Sequence, residues 1–195
     1  MTTGTISRTA VTSEPIHEVL AERWSPRSFD VSVEVPAEKI TAALEAARWS
    51  ASASNTQPWR FLVARRGTAE HATIVENLMG FNQAWAASAH VLIVNLAVTA
   101  EDGTPLRWAQ YDLGQAVAHL TVQAHHDGLH AHQMGGIEVD GLRAAFDIDA
   151  ALEPISVTAL GVLGTPEALA NDVLREREIA PRSRRPLDEL VLLSV

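Results

Sequence analysis

Apolar and polar positions alternate along the chain with periods that change segment by segment. Ile16, Val19, Leu20 and Arg23 fall at helical spacing between Pro15 and Trp24, and Ser25-Pro26 ends that pattern. Pro36 opens a second helix with Ile40, Ala43, Leu44 and Ala47 on one face, which gives way to the small polar run Ser50 to Thr56. Trp59 to Ala64 reads as a strand and Thr68 to Met79 as a helix. His90 to Val98 is almost continuously apolar, the pattern of a strand covered on both faces. After a turn at Asp102-Gly103, a long helix is predicted from Leu106 to Asp127. Leu113, Ala116, Val117, Leu120 and Ala124 form its inner stripe, and Gly128 is its left-handed cap.

Beyond Gly128 the pattern predicts a strand over Leu129 to Met134, a helix over Asp140 to Phe146 and a strand over Ile155 to Leu163. Thr165-Pro166 turns into a helix reaching Glu178, an arginine-rich loop follows, and Leu190 to Val195 is strand-like. The first 14 residues are small and polar and read as a loose arm, with residues 15–195 a single domain. The fold class is α+β, with helices around a central sheet and connections too irregular for a doubly wound fold.

Composition narrows the chemistry. With 15 basic and 24 acidic side chains the net charge is −9, which disfavours nucleic acid and anionic membrane as partners. The chain has no cysteine, so disulfides, thiolate metal sites and cysteine nucleophiles are excluded. The N-terminus has no apolar core of signal-peptide type, and the reading is a soluble cytoplasmic protein. Lys39 is the lone lysine and stands in an ordinary amphipathic segment.

Three polar clusters would suit one phosphorylated, planar ligand. Arg23-Trp24-Ser25-Pro26-Arg27 offers two guanidinium groups with a hydroxyl between them, able to grip a phosphate; as a plain alternative its charges compensate a helix end. Ser50 to Trp59 combines small residues with the carboxamides of Asn55 and Gln57, which donate and accept as a heterocycle edge requires; it also suits an ordinary turn. Five arginines lie between Arg175 and Arg185; Arg175 and Arg177 alternate with Glu176 and Glu178 as on a solvated helix face. His125, His126, His130 and His132 form a fourth cluster, but no His-Glu-x-x-His pattern accompanies them, and no metal site is expected. Neither Gly-x-Ser-x-Gly nor a strand followed by Gly-x-Gly-x-x-Gly is present.

Taken in order, Arg23-x-Ser25-x-Arg27, Ser52-Ala53-Ser54-Asn55-Thr56-Gln57-Pro58-Trp59, Met134-Gly135-Gly136-Ile137 and Arg182-Ser183-Arg184-Arg185-Pro186-Leu187 resemble the FMN-dependent nitroreductase family. The resemblance runs over roughly residues 15 to 192. It implies an α/β sandwich with a central, mainly antiparallel sheet flanked by helices. It also implies a homodimer with FMN at the subunit interface and a C-terminal segment exchanged between subunits. Carried over, Arg23, Ser25 and Arg184 hold the FMN phosphate and ribityl end, with Arg182 or its rival Arg185 assisting. Arg27 lies near the pyrimidine edge, where a cation raises the reduction potential. Ser52, Ala53, Ser54 and Asn55, with Gln57, reach the flavin of the neighbouring subunit, and Met134, Gly135 and Gly136 pass by N5. The implied activity is hydride transfer from NAD(P)H through N5 to a nitroaromatic, quinone or related acceptor; no protein acid or base is required, and His132 is a possible substrate contact. The alternatives are a non-catalytic flavin-binding protein and a histidine-rich metal binder. Trp24 departs from the basic or polar residue common in relatives, and Gly135 from the acid some carry. Met79 to His90 and Val98 to Leu106 are short where relatives often carry helical insertions, which implies an open site.

Overall fold

The computed structural model describes residues 8–193. Its centre is the apolar run, now strand β2 (Val91–Val98), buried along nearly its whole length. β1 (Trp59–Arg65) pairs with one side of it and β6 (Leu152–Gly161) with the other, and β5 (His130–Met134) pairs with β6. All three pairings are antiparallel, giving the order β1-β2-β6-β5. A bulge falls between Asn95 and Leu96, where β6 offers Pro154, which has no N–H to donate. Beside it the fully buried Asn95 amide donates to Ser156 Oγ at 3.0 Å and Thr158 Oγ1 at 2.9 Å. A two-stranded hairpin, β3 (Ala100–Glu101) and β4 (Thr104–Pro105), turns at Asp102 and Gly103, both at positive φ.

Each face of the sheet carries its own core. On one, Val91, Ile93, Ala131 and Leu160 pack against α2 (Ala37–Arg48) and the long helix α5 (Ala109–His126). α5 ends as its sequence predicts, with Gly128 at φ +79°, and Lys39 Nζ donates to the carbonyl of Asp127 at 2.6 Å. The lone lysine is therefore a cap on the longest helix. On the other face, Leu92, Val94, Met134 and Ala159 pack against α3 (Ala69–Glu76), α4 (Gly80–Ala86), α6 (Val139–Phe146) and α7 (Asp172–Ile179).

Several boundaries differ from those expected. α1 is only Glu18–Glu22. The helix expected to run to Met79 stops at Glu76, and α4 follows within the Met79 to His90 stretch, expected to be short where relatives carry helical insertions. The helix expected from Thr165 is a 3-10 turn, Pro166–Ala168, followed by α7, which restarts where Asn171 Oδ1 accepts the N–H of Leu174. No strand forms at the C-terminus within the described residues: α8 (Leu187–Leu190) stands there instead, and the expected strand's last two residues lie outside them. An apolar run so short does not distinguish helix from strand. Residues 8–14 form no regular element, but the Arg8 guanidinium donates to the carbonyl of Ala180 and stacks 3.9 Å over Trp24.

Candidate functional site

The segment between α1 and β1 begins with a loop tied down from several directions. Ser28 Oγ donates to Thr165 O at 2.6 Å, Gly164 N donates to Ser28 O at 2.9 Å, and the N–H groups of Arg27 and Ser28 donate to Glu178. His132, on β5, donates from Nδ1 to Pro26 O at 2.8 Å. A carbonyl only accepts, so this bond assigns the Nδ1–H tautomer and leaves Nε2 with its lone pair.

That loop carries a cluster of like charge. Arg23 Nη2 donates to Ser25 Oγ at 3.2 Å, and Arg182 Nη1 donates to the carbonyls of Ala21 and Arg8. Burial, and then Arg182 and Arg184, hold the Arg23 guanidinium below its usual range. Burial and Arg184 do the same to Arg182, while burial and Arg177 act on Arg27 against the pull of Glu178. Arg27 and Arg177 both stack on Phe81 of α4, at 5.9 and 4.6 Å. Arg184 and Arg185 are exposed; Arg184 bonds the carbonyl of Ser183, and Arg185 lies 3.7 Å from Glu189.

The solvated face expected at Arg175 to Glu178 is only half correct. Arg175 pairs with Asp172 at 2.7 Å, but Glu178 is 3% exposed, on the inward side of α7 with Leu174. That four-residue spacing from a buried leucine was the available signal.

The buried side-chain nitrogens that lack a partner concentrate here. They include Arg8 Nε, Arg23 Nε, Arg27 Nε, Trp85 Nε1, His125 Nδ1 and His130 Nδ1. Buried polar atoms are normally paired, so such a group points to a missing partner, an acceptor in the case of the arginine Nε and Trp85 Nε1 donors. Trp85 lies between Phe29 and His132, with ring centroids 6.4 and 4.6 Å away. Burial above all, with Arg27 and Arg23 adding to it, lowers His132 to about 4. His130 is lowered to about 4 by burial, His125 and Arg23. His125 and His130 face each other at 5.1 Å, but among the described residues no three His, Asp or Glu side chains gather as a metal site.

Met134 has its side chain in the core. Gly135 is exposed, and a Cβ there would meet nothing within 4 Å. Gly136 O accepts the N–H of Met79 at 3.0 Å and the Asn82 amide at 3.1 Å, so α4 is docked on this turn.

The Ser52 to Gln57 loop lies elsewhere, against the first turn of α5. Asp112 is 2% exposed and its Oδ2 accepts the N–H of Ala53 at 3.0 Å. Gln57 N donates to Ser52 Oγ at 3.1 Å, and the Gln57 amide donates to Asn55 O at 3.2 Å. Ser54, Asn55 and Gln57 have φ of +52°, +57° and +48°, backbone that costs free energy for residues other than glycine and that clusters at binding sites. Asp112 was hidden because it occupies the buried register of α5 between Ala109 and Ala116. The arginine cluster belongs to the opposite end of that helix, where Arg23 acts on His125. Asp112 and His125 are roughly 20 Å apart along the axis at 1.5 Å per residue. Within one chain the loop and the arginines share no hydrogen bond or ring contact among the described residues. A groove of about 390 Å³ runs along α5, lined by Arg23, Gly114, Ala118, Thr121 and Gln133 among others.

Comparison with known proteins decides the family. Residues 20–89 match the model of the nitroreductase family. A solved oxidoreductase containing FMN is 36% identical and superposes with a TM-score of 0.88, over 96% of each chain. The chain belongs to the nitroreductase family. A second solved structure, described as a nitroreductase from Desulfovibrio desulfuricans in complex with FMN, is 25% identical with a TM-score of 0.76. It matches over 94% of this chain and 99% of its own. The major NAD(P)H-flavin oxidoreductase of Aliivibrio fischeri is 34% identical over 96 residues, 46% of this chain and 44% of that protein. This nitroreductase-family chain has the α+β architecture of its relatives, and no helix among its described residues is long and apolar enough to cross a membrane. The arginine cluster, its unpartnered donors and the open space over Gly135 fit FMN.

Proposed function

We propose that this chain is an FMN-dependent NAD(P)H oxidoreductase that works as a homodimer, with each flavin held between subunits. The observation that carries the reading is the cluster around Arg23 and Arg27, whose buried Nε donors lack partners amid like charge. Arginines kept together this way are stabilised when an anion stands among them. Arg23, Ser25, Arg182 and Arg184 would take the phosphate end and Arg27 the pyrimidine edge, while Gly135 leaves room for the ring and Gly136, packed against Asn82 and Met79, holds that turn in place. Ser52, Ala53, Ser54, Asn55 and Gln57 would serve the partner's flavin, which accounts for a strained loop pinned so far from this chain's own arginines. The C-terminal segment, with Leu192 and Leu193 95% and 79% exposed, would embrace the partner. When bound, FMN would supply the redox chemistry, taking hydride from NAD(P)H and passing it to a nitroaromatic, a quinone or a related acceptor. The chain's task is to hold the ring, set its electrostatics and leave one face open. The half-buried His132, with Nε2 unprotonated, is a candidate acceptor contact.

The test is the visible spectrum of the purified protein before and after anaerobic NADPH or NADH, with the released chromophore identified by mass. Release of FMN and bleaching by pyridine nucleotide are expected. Flavin that binds but is not reduced would leave a binding protein, and failure to take up FMN would overturn the reading.

A further inference from the structure

Glu178 is a buried carboxylate with an unusual set of partners. Its oxygens accept the N–H of Arg27 at 3.0 and 2.9 Å, and Oε1 also accepts that of Ser28 at 3.1 Å. It forms no direct ion pair among the described residues, although Arg27 and Arg8 both act on it electrostatically. Burial raises its affinity for a proton, while the two N–H groups and the two arginines oppose that. A carbonyl oxygen would satisfy much of this hydrogen bonding, so the negative charge has its own effect, exerted on the cations nearby.

Those cations fall into two groups. Arg23, Arg182 and Arg184 act on one another with no carboxylate among them. Arg27 and Arg8 have Glu178 as their common counter-charge, which outranks the opposing Arg177 at Arg27 and Arg182 at Arg8. The carboxylate therefore stands behind one end of the cluster and leaves the other uncompensated.

We propose that Glu178 is a positioning residue that fixes the Arg27 backbone and offsets part of the Arg27 charge, lowering the midpoint potential of the bound flavin while the phosphate-holding arginines stay free. The proposal rests on the reading above, in which Arg27 meets the ring edge. A flavin ring gains negative charge on reduction, so a nearby cation favours the reduced form and a carboxylate behind that cation disfavours it. The sign separates this role from a merely structural one. Loss of a structural prop would let Arg27 drift from the ring and lower the potential; loss of the charge alone raises it.

The experiment compares FMN-loaded wild type, Glu178→Gln and Glu178→Asp by anaerobic redox titration against a reference dye, with FMN affinity measured by flavin fluorescence. Glu178→Gln is expected to increase the ratio of affinities for reduced over oxidised FMN about tenfold, a rise of ~30 mV for a two-electron couple. Glu178→Asp keeps the charge but draws the carboxylate away from the Arg27 and Ser28 N–H groups, so it should lower the potential. An unchanged or lowered potential in a folded, flavin-loaded Glu178→Gln overturns the proposal. If that variant does not fold, an unchanged or raised potential in Glu178→Asp does so. Wild type that takes up no FMN would instead refute the functional reading.

Discussion

His132 makes the stability of this chain depend on pH, and the size of the effect follows from its surroundings. In the unfolded chain an imidazole titrates near 6.5; in the fold burial, Arg27 and Arg23 bring His132 to about 4. Above pH 6.5 the ring is neutral in both states and contributes no pH dependence. As the pH falls through the window from 6.5 toward 4, the unfolded chain binds a proton that the folded chain refuses, so stability is lost. The slope approaches about 1.4 kcal/mol per pH unit, and by pH 5 the loss from this ring is about 2 kcal/mol. His130, also lowered to about 4, adds a loss of the same sign, and Glu178, whose proton affinity is raised, works the other way. Both are common to wild type and a His132→Asn variant, so the difference between the two proteins isolates His132. Asparagine can still donate to Pro26 O, though it loses the ring contact with Trp85, a constant offset. The assay is urea unfolding followed by tryptophan fluorescence from pH 8 to pH 5. The stability advantage of wild type over His132→Asn should shrink by about 2 kcal/mol across that range. Parallel curves would refute the assignment of His132 as a ring kept neutral by its burial and cationic neighbours.

Three other substitutions test separate parts of the structure. Arg23→Ala should weaken FMN retention by about 1.5–3 kcal/mol, one charge-assisted bond, and full occupancy after dialysis would show that Arg23 does not hold the phosphate. Asp112→Ala leaves the Ala53 N–H without its buried acceptor and should cost about 2 kcal/mol in urea unfolding, with faster proteolysis at residues 52–57; unchanged cleavage would mean that the loop holds itself. Gly164→Ala would put a Cβ 2.6 Å from Ser28 Oγ and 2.8 Å from the Phe29 carbonyl carbon. It should destabilise by about 1–3 kcal/mol through overpacking and disturb the Arg27 loop, whereas an unaltered melting temperature would show that the loop can yield.

What could be read from the sequence was whatever depended on local pattern. β2 was visible because its longer apolar run has the pattern of a strand covered on both faces, and α5 because its stripe and Gly128 agree on length. α4 was invisible because its start has no capping side chain and is fixed by Met79 and Asn82 docking on Gly136, a contact between segments far apart in the chain. Glu178 and Asp112 look like surface acids until the helices bearing them are turned against the sheet, since burial of a charge depends on backbone donors that only the fold supplies. The motif residues stood out as chemistry, but their division between the two ends of α5 depended on packing and could not be counted from spacing.

That division has a thermodynamic side. If one subunit supplies arginines and the other the strained loop, cofactor binding and chain association share a single free energy of coupling. Each would tighten the other by the same factor. The fraction of chains carrying flavin would then rise with protein concentration even at fixed FMN. A sample diluted far enough would lose a cofactor that it held firmly when concentrated, with no change in any residue that touches it.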